Sequence, residues 1–224
     1  MLRNCIVFDI ETGSLPIEEI EFPEFEAPSN YKNAETIAAY IDKKKAEFIE
    51  KAAVSVFSGK VMAIGYEVFN ENGESIAGGI FHGDNEAEII QKFWNKLWDL
   101  GIDDNTCHEF IGWNSNGFDM PFLLRKSWKY GLKRIPAFLT GYKWPDSKFI
   151  DLMQVWSCGA KEYVKLDTVA KFLGVGEKNG DGKYFKDMYE EDVEKALAYL
   201  ENDIKMTVAV AQKMLTNRRY GIQG

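Results

Sequence analysis

Several things are scarce in this chain of 224 residues. There are only two histidines, His82 and His108. There are three cysteines (Cys5, Cys107 and Cys158), an odd number with no Cys-x-x-Cys pair. That usage reads as three reduced thiols in a cytoplasmic protein rather than as a zinc site. Long hydrophobic runs are missing as well. The N-terminal apolar stretch stops at Asp9, too short for a signal peptide or a membrane span, and no later run is longer. No internal repeat and no low-complexity tract interrupts the chain. Net positive charge is absent too. The formal charge is −8, which taken as a total argues against a polyanionic ligand.

What is present is ordinary in bulk. A composition of 46% hydrophobic and 28% charged residues is that of a soluble globular protein. The length suits one domain, able to bury roughly 70% of its unfolded surface without a disulfide or metal. The charge is unevenly spread. Residues 121–150 carry seven basic side chains (Arg125, Lys126, Lys129, Lys133, Arg134, Lys143, Lys148) against the single acid Asp146, a local net charge of +6. Trp128, Tyr130, Tyr142 and Trp144 interleave with them. Such a mixture suits a single-stranded nucleic acid, with cations on phosphates and rings on bases. It suits equally a solvated helix face with core aromatics.

Hydrophobic periodicity sets the expected elements. Residues 4–10 read as a buried strand, and 60–69 and 74–82 as two more, joined by a turn at Asn70-Glu71-Asn72-Gly73. Asp84 or Asn85 can cap a helix reaching about Leu100. A fourth strand is expected at 109–113 and a helix after Asp119. A further helix is expected at about Asp167–Leu173, and a long one over about Glu191–Leu215. Its apolar stripe is Val193, Leu197, Leu200, Ile204, Val208, Ala211 and Leu215. The order implies an α/β fold with a mixed sheet and helices packed on it. Residues 15–57 fit no strand of that core. They read as an inserted elaboration, with a charged helix over 34–53.

Four carboxylates stand out in three patterned segments: Phe8-Asp9-Ile10-Glu11-Thr12, Asn114-Ser115-Asn116-Gly117-Phe118-Asp119, and Tyr199-Leu200-Glu201-Asn202-Asp203. Asp9 and Glu11 are two apart on a strand, so they leave the same face, and they repel unless a cation lies between them. Tyr199 and Asp203, four apart on a helix, share a face. Asp203 borders the apolar stripe, where a lone acid is costly without a partner. Four acids brought together by folding can hold two divalent metals, and two metals cut phosphodiesters. Phe118 by itself also reads as a core aromatic and Asn114 as a turn former.

The order Asp-x-Glu, Asn-x-x-x-Phe-Asp, Tyr-x-x-x-Asp resembles the DEDD superfamily of 3′–5′ exonucleases. Tyr199 points to its DEDDy branch, that of the family B DNA polymerase proofreading domain. The other large branch has a histidine five residues before the last acid, where this chain has Ala198. Asp151-Leu152-Met153, the stretch from Tyr163 to Ala170, and Phe172-Leu173-Gly174 also look like segments of stand-alone family B-like exonucleases. The resemblance covers about residues 4–14 and 59–215. Leu200 departs from it, standing where family B exonucleases often have cysteine.

The resemblance implies a ribonuclease H-like fold over a single domain. It implies a metal-dependent 3′–5′ exonuclease that acts on single-stranded DNA, as in DNA repair. Asp9, Glu11, Asp119 and Asp203 would hold two Mg²⁺ or Mn²⁺ ions. Tyr199 would orient the attacking water. Thr12, Asn114 and Phe118 would meet the substrate, with Lys126, Lys129 and Lys133 guiding the strand. No polymerase domain follows in the chain, so the implied enzyme stands alone. The alternatives are an exoribonuclease on short RNA, an inactive nucleic-acid-binding module and a non-nuclease metal phosphatase.

Overall fold

The computed structural model describes residues 2–103, 108–136, 148–160, 162–177 and 182–215. The chain forms two compact units, Met1–Glu11 with Val61–Gly224, and Thr12–Lys60.

The first unit is built on a five-stranded mixed sheet in the order β3-β2-β1-β4-β5. Its strands are β1 (Cys5–Ser14), β2 (Gly59–Phe69), β3 (Ser75–His82), β4 (Glu109–Gly112) and β5 (Phe149–Asp151). β2 and β3 form the expected antiparallel hairpin. Its turn is tied by Asn70, whose side-chain oxygen accepts from the Asn72 and Glu74 amides. Gly73 takes the left-handed angle (φ 82°) that the turn requires. β1 pairs in parallel with β4, Val7 opposite Ile111, and β4 pairs in parallel with β5.

Alternation along β1 divides the core between the two faces of the sheet. Phe8 packs edge-on against Phe110 and close to Phe93 of α2 (Glu86–Asp99). α3 (Asp119–Lys129) is tied to α2 by the Trp94 indole, which donates to the Ser127 hydroxyl at 2.9 Å. Cys5 and Val7 face the other way, into a cluster with Val169 and Ala170 of α5 (Leu166–Leu173) and Met206, Val210 and Ala211 of α7 (Val193–Met214). Burial pushes the Cys5 thiol up to about 12, so it stays protonated.

α2 begins at the Asn85 cap, whose oxygen accepts from the Glu88 amide, and α7 begins at Asp192. The buried face of α7 is rotated from the expected stripe. Val193 is exposed, and Tyr199, Asp203 and Thr207 are buried one turn apart. Three short elements were not expected: β5, α4 (Leu152–Trp156) and α6 (Phe185–Glu191). At seven residues or fewer they carry too few positions for a period to register.

The second unit contains α1 (Ala34–Glu50), close to the expected charged helix, with 3₁₀ turns at Ile17–Glu19 and Ala52–Val54. Asn33 caps α1 by accepting from the Glu35 and Thr36 amides. α1 has no fully buried residue. The unit packs instead through ring contacts, Phe22 and Phe25 on Phe48 and Tyr31 on Tyr40. Its two ends are joined where the Leu15 amide donates to the Ser58 carbonyl.

Candidate active site

Three elements bring the four acids together. β1 supplies Asp9 and Glu11, α3 opens on Asp119, and α7 supplies Asp203. Carboxylate oxygens of Asp9, Glu11 and Asp203 lie within 4.8 Å of one another. Asp119 is buried beside them. Its Oδ1 accepts from the Ile10 amide at 3.0 Å, and its carboxyl lies beside that of Asp9. Burial pushes the Asp119 carboxyl up to about 6, against the Ile10 hydrogen bond that favours its charged form. The nearby Asp151 charge adds to the rise.

Like charges this close repel, and a cation between them removes the repulsion. An all-carboxylate donor set fits a hard divalent ion such as Mg²⁺ or Mn²⁺, not a soft one. The acidic cluster is therefore able to hold a metal.

The acids line a cleft of about 420 Å³. Tyr199 lines it as well, its ring buried near Phe185 (centroids 6.3 Å apart). The Tyr199 hydroxyl and the Glu11 carboxylate both lie within 4 Å of where a Cβ on Gly182 would stand. A side chain at 182 would crowd both groups. Thr207, one turn beyond Asp203, also faces the cleft, and its hydroxyl donates to the Asp203 carbonyl at 2.8 Å. Sequence reasoning missed Thr207, although its spacing from Tyr199 and Asp203 is the signal that could have found it.

Asn114 and Phe118 line the same cleft. Asn114 adopts a left-handed backbone (φ 57°), which asparagine tolerates better than most residues. Asp151 holds that turn, accepting from the Asn114 amide on one oxygen and the Asn116 amide on the other (3.0 and 3.1 Å). It also caps α4 through the Met153 and Gln154 amides. One buried carboxylate thus fixes the loop that presents Asn114, Phe118 and Asp119.

None of the three lysines expected to guide the strand lines the cleft. Lys126 is fully buried and 3.3 Å from Glu86 of α2. Glu86 also accepts from the Val61 amide and the Tyr130 hydroxyl, so this cluster ties α3 to the sheet and to α2. Lys129 and Lys133 are exposed at the far end of α3, and neither lines the cleft. Lys129 is ten residues past Asp119, about 15 Å along the helix axis. Thr12 follows Glu11 on β1 and opens the second unit. Cys107, Tyr142, Lys143 and Trp144 lie outside the described residues. The cleft wall instead includes Trp113, Tyr163, Lys165, Asp167 and Lys183, which the sequence did not single out as site residues.

A mixed sheet with helices on both faces, and an acidic cleft where β1, α3 and α7 meet, defines an α/β domain of the ribonuclease H-like exonuclease class. More narrowly, the chain belongs to the family of predicted 3′–5′ exonucleases related to the exonuclease domain of PolB, whose model matches residues 46–218. By that family's description it is a predicted 3′–5′ exonuclease domain. Asp119, Tyr199 and Asp203 fall within the matched stretch. Asp9 and Glu11 precede it and join the others only through folding.

Two of the solved structures that share the fold illustrate it. One is the family B DNA polymerase from the hyperthermophilic archaeon Pyrobaculum calidifontis, with a TM-score of 0.61 and 16% identity over 94% of this chain. This chain spans about a quarter of that polymerase, 24% of its length. The other is the Mg²⁺- and Mn²⁺-bound form of S. pombe Pop2p, with a TM-score of 0.52 and 14% identity, covering 96% of this chain and 84% of that one. No curated protein matches the sequence. No described helix is long and apolar enough to cross a membrane.

Proposed function

We propose that this protein is a DEDDy-type exonuclease that removes nucleotides from the 3′ end of single-stranded DNA. The observation that carries the reading is the convergence of Asp9, Glu11 and Asp203 within 4.8 Å, with Asp119 buried beside them and held by the Ile10 amide. These four side chains would hold two Mg²⁺ or Mn²⁺ ions. Such ions, when bound, lower the pKa of an attacking water and stabilise the leaving oxygen.

The remaining roles fall to the protein. The Tyr199 hydroxyl, beside Glu11, holds the attacking water on the side of the phosphate away from the 3′-oxygen. Phe118 offers a ring to the terminal base, and Asn114 offers an amide to the terminal sugar or base. The side of the cleft at Gly182 stays free of a side chain, which leaves room for the water and the phosphate. Residues 15–57, within the Thr12–Lys60 unit, form an elaboration inserted into a single exonuclease domain after the first acid pair.

The test is incubation with 5′-labelled single-stranded DNA and, separately, RNA, with Mg²⁺, with Mn²⁺ and with EDTA. A ladder shortening from the 3′ end of DNA, absent in EDTA, is expected. Shortening of RNA alone would replace the substrate with short RNA. Absence of cleavage on both would leave a nucleic-acid-binding module without catalysis.

A further inference from the structure

With Lys126 buried and Lys129 and Lys133 remote, the strand needs another route to the acids. One wall of the cleft carries the chemistry for it. Tyr163 and Lys165 both line the cleft with the catalytic acids. Tyr163 is 71% exposed, a large ring left in water at the cleft mouth. Lys165 is exposed too, with extended backbone angles (φ −71°, ψ 141°). Between them Val164 packs against the apolar core, so its neighbours on either side turn outward. The Trp113 indole N–H donates to the Val164 carbonyl at 2.9 Å, which anchors this stretch to the end of β4. Asp167 is the acid on the same wall, and Lys171 neutralises it at 2.9 Å. Phosphate approaching Lys165 therefore meets an Asp167 carboxylate already paired with Lys171.

We propose that the stretch from Tyr163 to Lys165 is the wall over which a single strand enters the cleft, Tyr163 stacking on a base and Lys165 contacting a backbone phosphate. The inference rests on the exonuclease reading of the cleft and adds the path of the substrate. A ring beside a cation at a cleft mouth is the pairing that single-strand binders use, and stacking is indifferent to base identity. Neither contact reads the 2′ position, so the wall selects an unpaired strand and leaves the choice between DNA and RNA to groups deeper in the cleft. A duplex end must fray to use it, because a paired base keeps its faces in the helical stack.

The experiment compares Tyr163→Ala, Tyr163→Phe, Lys165→Ala and the double variant Lys129→Ala with Lys133→Ala. The substrates are a labelled oligothymidylate and the p-nitrophenyl ester of thymidine 5′-monophosphate, which is too short to span cleft and wall. Tyr163→Ala should raise KM for the oligonucleotide about tenfold, with a smaller change in kcat and a smaller effect on the short ester. Tyr163→Phe should restore the oligonucleotide KM, because the ring and not the hydroxyl does the stacking. Lys165→Ala should make the slope of log K against log salt shallower by about 0.7, one phosphate contact on a single strand. The Lys129 and Lys133 pair should leave that slope in place. Unchanged KM and slope in the Tyr163 and Lys165 variants would overturn the proposal. So would equal losses on both substrates, or a slope that responds only to Lys129 and Lys133. If the wild-type protein cleaves neither substrate, the exonuclease reading fails by itself. Fluorescence anisotropy of the same oligothymidylate against the same variants then decides the wall separately.

Discussion

Lys126 and Tyr199 show how differently two side chains of known type behave once buried. Lys126 sits where water cannot reach it, and desolvation lowers its pKa against the pull of Glu86. Removing it would leave Glu86 buried with two hydrogen bonds and no opposite charge. We expect Lys126→Ala to destabilise the fold by about 3 kcal/mol, the cost of breaking a buried pair from one side. Urea unfolding followed by tryptophan fluorescence measures it, and a change of less than a few tenths would mean that the pair is dispensable. Tyr199 keeps its ring in the core beside Phe185 and its hydroxyl in the cleft. Tyr199→Phe removes only the hydroxyl. A positioned group of this kind contributes about 10²-fold in rate, so kcat should fall by that order while the fold is unchanged. Mn²⁺ affinity should stay close to that of the wild type, because the phenol is not assigned as a ligand. Loss of Mn²⁺ binding in this variant would show that the assignment is wrong.

At the scale of elements, the site depends on how closely α7 lies on the sheet. Gly65 of β2 makes that approach possible. A Cβ there would stand 2.8 Å from Ile204 Cγ1 and 3.0 Å from Leu200 Cγ, both on α7. Real Cβ atoms do not come that close, so an alanine would push α7 outward. α7 carries Tyr199 and Asp203 of the proposed site, and a displacement of an ångström at catalytic groups can cost two orders of magnitude in rate. Gly65→Ala should therefore lose activity on top of about 1–3 kcal/mol of overpacking cost. Thermal unfolding and single-turnover cleavage on one preparation test both parts. Full activity with a lowered Tm would mean that the sheet absorbs the strain and leaves the helix in place. The loop before α3 is held differently, by hydrogen bonds from two of its amides to Asp151 rather than by packing.

For the molecule as a whole, the acid cluster works against folding, and a cation bound in the proposed site would offset that. Asp9, Glu11, Asp119 and Asp203 add like charges at one point of a chain already at −8. A divalent ion that binds only the folded form stabilises it, by about 2.7 kcal/mol at a hundred times its Kd. Titrating the metal-stripped protein with Mn²⁺ should thus raise Tm, and EDTA should reverse the rise. Asp203→Ala should fold, lose catalysis, and show little of the Mn²⁺ shift. Its metal-free Tm should be no lower than that of the wild type, since one repelling charge is gone. A variant that keeps the full Mn²⁺ shift would place the ion elsewhere.

Some of this was legible without coordinates because it depends on spacing alone. Two residues apart on a strand, Asp9 and Glu11 share a face in any sheet, and four apart on a helix, so do Tyr199 and Asp203. The hairpin at Asn70–Gly73 and the Asn85 cap of α2 follow from equally local rules, and the mixed sheet from the order of the elements. Burial and partnership do not. Lys126 has basic neighbours in the chain and reads as surface. Only the packing of α2 on α3 places Glu86 against it and removes the water. β5 is three residues long and exists as a strand because β4 lies beside it. Tyr163 and Lys165 line the cleft on a stretch that Trp113, distant in the sequence, holds by the Val164 carbonyl. The sequence by itself determined which side chains point the same way, since that is set by backbone period. Only the tertiary structure decided which charges lose their water and which remain at the mouth of the cleft, since desolvation is set by what packs from elsewhere in the chain.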